Sequence, residues 1–165
     1  MSIFHTVSLS CPHCAQPVDF EACDSVNADR RPDLRAAILD GSLQRMDCPH
    51  CSKSFRAAPQ LTYLDIGRGQ WIAAFPPEAV GQWVELEAAA GRAYEQAFGS
   101  GASVDAREIG QTLKPRLVFG WHGLAEKLVA AEAGLDDVTL ELMKMALLRG
   151  LDDPPLPIGT QLRLL

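Results

Sequence analysis

The sequence has no excess of positive charge. Fifteen Lys and Arg stand against 21 Asp and Glu, a formal net charge of -6 over 165 residues. No basic field therefore exists to draw in nucleic acid or anionic lipid, and neither is an expected partner. The chain also lacks any apolar run near the ~18 residues that a membrane span requires. Its first residues, Met1-Ser2-Ile3-Phe4-His5-Thr6, show no charged segment followed by an apolar one, so no secretory signal is readable. A cytoplasmic, reducing setting is the expectation, and there paired cysteines serve more often as metal ligands or redox catalysts than as structural disulfides. Glycine-rich phosphate loops, nucleophile elbows and Ser/His/Asp signatures are missing too, Gly67-Arg68-Gly69 being too short to count. The remaining composition, 47% hydrophobic and 22% charged, is that of a globular chain able to bury a sizeable core.

Patterning divides the chain near residue 76. Residues 1–76 carry seven basic against eight acidic side chains, and residues 77–165 carry eight against thirteen, so most of the negative charge lies in the second half. The first half reads as strand. Alternation marks residues 3–9 and 16–22, and strand-like runs follow at 43–47, 54–58, 61–66 and 71–75. Gly67-Arg68-Gly69 supplies a hairpin connection between the last two. Pro32 opens a short helix over 33–40, with Gly41 where a left-handed cap belongs. Pro76-Pro77 then ends the strand pattern and starts a helix reaching about residue 99, with Val80, Trp83, Val84, Gly91, Tyr94 and Phe98 at helical spacing. Further helices are expected at 121–133, with Leu124, Leu128 and Ala131 on one side, and at 136–149, with Val138, Leu142, Met145 and Ala146 as the apolar stripe. Residues 100–112 fit no pattern, and 151–165 form a proline-rich, extended tail that ends apolar.

One constellation carries chemistry. Cys11-Pro12-His13-Cys14 returns as Cys48-Pro49-His50-Cys51. Two Cys-x-x-Cys pairs a few dozen residues apart are a specific zinc signal. A tight turn brings the sulfurs of each pair toward one point, proline presets the turn, and two such knuckles complete a four-thiolate cage around one Zn²⁺. With four protein ligands no position stays open for water or substrate, so the ion is expected to be structural and to help fold the first half. A redox reading competes, since Cys-Pro-His-Cys also occurs in thiol oxidoreductases. It needs a helix N-terminus at the first thiol, which neither copy shows. A structural disulfide conflicts with the reducing setting. His13 and His50 read as polar tips on their knuckles rather than ligands, Lys53, Arg45 and Arg56 could offset the thiolate charge, and Cys23 reads as a small buried residue.

These residues resemble the CpXC domain proteins of bacteria and archaea. The similarity rests on both cysteine motifs together with Phe20-Glu21, Val26-Asn27-Ala28, Ile38-Leu39-Asp40-Gly41-Ser42-Leu43 and Tyr63-Leu64-Asp65. It continues through Arg116-Leu117-Val118-Phe119-Gly120, Leu124-Ala125-Glu126-Lys127 and Leu135-Asp136-Asp137, covering residues 5 to 150. The resemblance implies metal binding by Cys11, Cys14, Cys48 and Cys51 and nothing catalytic. Ala15 and Ser52 stand where glycine often follows the second cysteine of a knuckle.

Elsewhere the plain reading prevails. Asp136-Asp137 suits helix capping, Asp152-Asp153 borders a proline turn, and His122 reads as structural. Trp71, Trp83 and Trp121 are expected core or interface anchors. Arg30, Arg31 and Arg35 read as a solvated helix edge rather than a nucleic-acid face. The expected architecture is α+β, a single domain over 1–150. Residues 1–76 would form a zinc ribbon-like β part with an inserted short helix, packed against a helical part of about three helices over 77–150. The expected function is a non-enzymatic, zinc-stabilised interaction module for a protein partner. A thiol-disulfide enzyme and a nucleic-acid-binding ribbon are the alternatives.

Overall fold

In a computed structural model, residues 2–152 and Leu162 are described. All but three residues of the expected 151–165 tail therefore lie outside the described part. Among the described residues, seven strands and five α-helices follow one another. Strand β1 (Ile3–Ser10) pairs antiparallel with β2 (Pro17–Asn27). Helix α1 (Pro32–Asp40) begins on its proline and ends at Gly41, whose φ of 82° only glycine adopts without strain. Short strands β3 (Arg45–Asp47) and β4 (Ser54–Arg56) form a separate two-stranded sheet. Strand β5 (Leu61–Asp65) returns to the main sheet parallel to the end of β2, and β6 (Gln70–Phe75) pairs antiparallel with β5.

Beyond Pro76 a 3₁₀ helix (Pro77–Gln82) leads into α2 (Trp83–Phe98), and α3 (Val104–Thr112) occupies the stretch whose pattern gave no assignment. Strand β7 (Lys114–Phe119) then joins the sheet parallel to β6. Helices α4 (Gly120–Glu132) and α5 (Asp137–Arg149) complete the fold. The main sheet has the order β1-β2-β5-β6-β7. The chain is thus α+β, but its second part is not wholly helical. It lends the sheet an edge strand and holds four α-helices instead of about three.

Burial explains the strand patterns. Strand β6 is covered on both faces, so its run is continuously apolar rather than alternating. Ile72 and Ala74 face a core with Val26, Leu34, Ile38, Tyr63, Val118, Leu124 and Leu128. Trp71 and Ala73 face the other way, against Leu113, Tyr94 and Phe98. Leu124 and Leu128 have no exposed surface, and each contributes about 1.5–3 kcal/mol of burial.

Two expected apolar stripes are not core. In α2, Val80 before it and Trp83 and Val84 at its start are about half exposed, and only its far end packs. Helix α5 is mounted with its charged face inward. Its Asp137 pairs with Arg116 of β7, its Glu141 lies 2.6 Å from Lys127, and its Lys144 pairs with Glu126 of α4. Only Leu140 of this helix is buried, whereas Val138, Leu142 and Met145, expected to face the core, lie 45–59% exposed. The physical reason lies in β7 and α4. They present Arg116, Lys127 and Glu126 at that surface, and charges leaving water need partners more than they need apolar cover. Asp136 caps α5, its carboxylate accepting from the Thr139 amide at 3.0 Å.

Candidate metal centre

Both Cys-Pro-His-Cys segments are hairpin turns. The first joins β1 to β2 beyond the rung Ser10–Pro17, and the second joins β3 to β4 beyond the rung Asp47–Ser54. Equivalent hydrogen bonds build each turn. The Ala15 amide donates to the Cys11 carbonyl at 2.9 Å, and the Ser52 amide to the Cys48 carbonyl at 2.8 Å. The Cys11 and Cys48 amides donate in turn to the Gln16 and Lys53 carbonyls, at 2.9 and 3.0 Å. Backbone N–H groups of His13 and His50 point at the Cys11 and Cys48 sulfurs, each at 3.4 Å. Ala15 and Ser52 adopt φ values of 60° and 58°, the left-handed conformation that glycine commonly supplies there. An L-residue costs about 1–2 kcal/mol in that region, so the turns are held against a local preference.

The two turns face one another. The sulfurs of Cys11, Cys14, Cys48 and Cys51 all lie within 4.8 Å of one another. Cys11 Sγ and Cys51 Sγ are 3.9 Å apart, and Cys14 Sγ and Cys48 Sγ 3.7 Å. All four are free thiols. Metal–sulfur bonds of about 2.3 Å in a regular tetrahedron would place sulfurs about 3.8 Å apart. Both contacts are close to that separation. The donor set and its spacing thus fit a single tetrahedral metal ion, with all four thiols free rather than bonded in pairs.

Crowding also sets the electrostatics. At Cys11, burial disfavours the thiolate, but the His13 and Cys14 amides and neighbouring thiols outweigh it and bring the group down to about 6. At Cys14 the Gln16 amide favours the thiolate. Burial and the three other sulfurs oppose it and push the group up to about 12. A thiolate thus forms readily at Cys11, whereas at Cys14 it demands a cation.

The histidines do more than tip their turns. His13 Nε2 lies 3.3 Å from the Ser54 carbonyl, and His50 Nε2 lies 3.2 Å from the Pro17 carbonyl. A carbonyl oxygen only accepts, so each Nε2 carries its proton and donates across to the opposite hairpin. The reciprocal pair closes one turn against the other. Their identical place in both motifs was the sequence signal for this. Gln44 gave no such signal, yet its side chain ties the Cys23 amide (2.9 Å) to the Ala58 carbonyl (3.2 Å).

Other candidates lie elsewhere. Arg45 and Arg56 do not turn their guanidinium groups to the sulfurs. Arg45 donates to the Gly41 carbonyl, and Arg56 donates to Leu43 and Ile38 carbonyls while stacking 3.8 Å over the Trp121 ring of α4. Trp121 Nε1 donates to the Ala57 carbonyl at 2.7 Å. Cys23 is buried in the main core, where desolvation raises its thiol to about 11. Arg31 pairs with Asp33 at 2.6 Å and Arg35 with Glu132 at 3.0 Å, so both are neutralised where they stand.

A family model described as CpXC protein matches residues 9–144. The chain belongs to the CpXC family. No curated protein and no solved structure matches it.

Proposed function

We propose that Cys11, Cys14, Cys48 and Cys51 hold one structural Zn²⁺ and that the two hairpins work as a zinc ribbon within a non-enzymatic interaction module. The carrying observation is the sulfur cluster itself, four thiols within 4.8 Å of one another, two pairs of them close to tetrahedral separation, supplied by two matched turns. Thiolate-only donor sets favour zinc over hard cations. Four protein ligands close the coordination sphere, so the ion binds no substrate and its contribution is to folding. The chain works in a reducing compartment, the cytoplasm, where the thiols stay available for the metal. Its partner is another protein. The field of the chain is acidic, which disfavours nucleic acid.

Cobalt substitution tests the closed site. The Co²⁺ form should show a tetrahedral thiolate spectrum that added imidazole or cyanide leaves unmoved. A ligand-shifted band would mean an open coordination position and would remove the structural reading. The thiol-disulfide alternative draws on the lowered Cys11 thiol. Insulin reduction by the metal-free, reduced chain would favour it.

A further inference from the structure

We propose that β1 is a self-pairing edge, through which two copies of this chain join their sheets in an antiparallel, two-fold symmetric dimer. The two edges of the main sheet differ. Strand β7 carries Lys114, Pro115 and Arg116, residues that guard a free edge against pairing. Strand β1 runs for eight residues, Ile3-Phe4-His5-Thr6-Val7-Ser8-Leu9-Ser10, without Lys, Arg, Asp, Glu or Pro. Among the described residues it pairs with β2 alone, and the other side of its backbone meets no strand. A long, uncharged edge of this kind is a template for strand addition.

The occupant follows from charge and symmetry. A second copy brings the same neutral strand, so no like charges oppose one another in the ladder. His5, the one titratable side chain, lies 2.8 Å from Asp24 of its own sheet. The nearest other carboxylates on β2, Asp19 and Glu21, lie one strand away from the edge, opposite Ser8 and Thr6. A two-fold axis normal to the sheet keeps residues of the same face opposite each other. Centred on Thr6, it sets Thr6 against its equivalent, His5 against Val7 and Phe4 against Ser8, all compatible pairs.

The test is the association state of the full, metal-loaded chain by sedimentation velocity, from low micromolar to about 100 µM. The expected result is a reversible dimer. Lysine is the natural guard of an edge, and Thr6→Lys with Ser8→Lys gives each new ammonium Glu21 or Asp19 as a neighbour, so the fold is retained. That double variant should weaken the dimer about tenfold or more, with metal content and circular dichroism unchanged. Leu142→Arg, on the exposed face of α5, should leave the dimer intact. A monomer throughout the range overturns the proposal. So does a dimer that resists the lysine pair, and one dissolved by Leu142→Arg would place the contact on α5 instead.

Discussion

The knuckle end and the sheet–helix body of this chain bury different kinds of side chain. Around the sulfurs the buried cluster is Cys11, Val18, Cys48 and Phe55, with Leu9, Cys14, Met46 and Cys51 at its border. Half of those eight residues are the cysteines themselves, so without a metal this end has little apolar surface to keep it folded. The body buries Val26, Leu34, Ile38, Tyr63, Ile72, Val118, Leu124 and Leu128 between one face of the sheet and helices α1 and α4. There the hydrophobic effect suffices. On the proposed zinc reading the chain carries one part that folds by burial and another that folds by coordination, and each should fail under its own insult.

The largest effect is expected where coordination is broken. Cys48→Ser removes one ligand, and structural zinc sites of this kind contribute about 10–16 kcal/mol in small isolated domains. Metal content should fall from one ion per chain toward none. Amide protection should vanish around residues 9–18 and 46–56 while amides near Leu128 stay protected, a pattern that hydrogen exchange reads directly. Simultaneous loss of both regions would show that the body depends on the metal.

The converse cut is Leu128→Ala. It empties a fully buried site and should cost about 2–5 kcal/mol, lowering the melting temperature without changing metal stoichiometry.

Within the sheet–helix body, acid should act on α5 first. Arg116 holds the Asp137 carboxyl below the usual carboxylate range, against the opposing effect of its partial burial. A carboxylate whose pKa is lowered on folding stabilises the folded state fully above its ordinary pKa, and that contribution fades as pH falls through and below it. Helix α5 should therefore lose protection as pH falls through and below the ordinary carboxylate range, before the rest of the body does. Asp137→Asn should reduce the pH dependence to the share carried by Asp136 and Glu141 and leave α5 weaker at neutral pH, with amide exchange of residues 138–148 as the readout.

The smallest expected effect concerns the seam between the two regions. Trp121→Phe deletes the Nε1 bond to the Ala57 carbonyl and weakens the stack under Arg56, at a cost of about 1–2 kcal/mol. Chelator should then strip the metal faster while the ligand set is untouched.

How far the sequence reached follows the same division. The clustering of the four cysteines was legible because its signal is local, two four-residue turns whose spacing brings sulfurs together. Most strands and the caps of α1 and α5 were legible for the same reason, through alternation, Pro32, Gly41 and Asp136. Strand β7 was not. Its Lys-Pro-Arg opening suits a guarded edge, and only its parallel pairing with β6 makes it a strand. The orientation of α5 was equally hidden. Its stripe of Val138, Leu142 and Met145 reads as a core face, and the charges on β7 and α4 that reverse it are distant in sequence. Positive φ at Ala15 and Ser52 was readable only as a position where glycine is usual.

Elemental analysis of the chain, purified reduced and without added metal and paired with a native thiol count, tests the coordination claim most directly. The account predicts one zinc per chain and one slowly reacting thiol, Cys23, the other four being silent until a chelator is added. Folded protein with no metal and four thiols open to reagent from the start would contradict it.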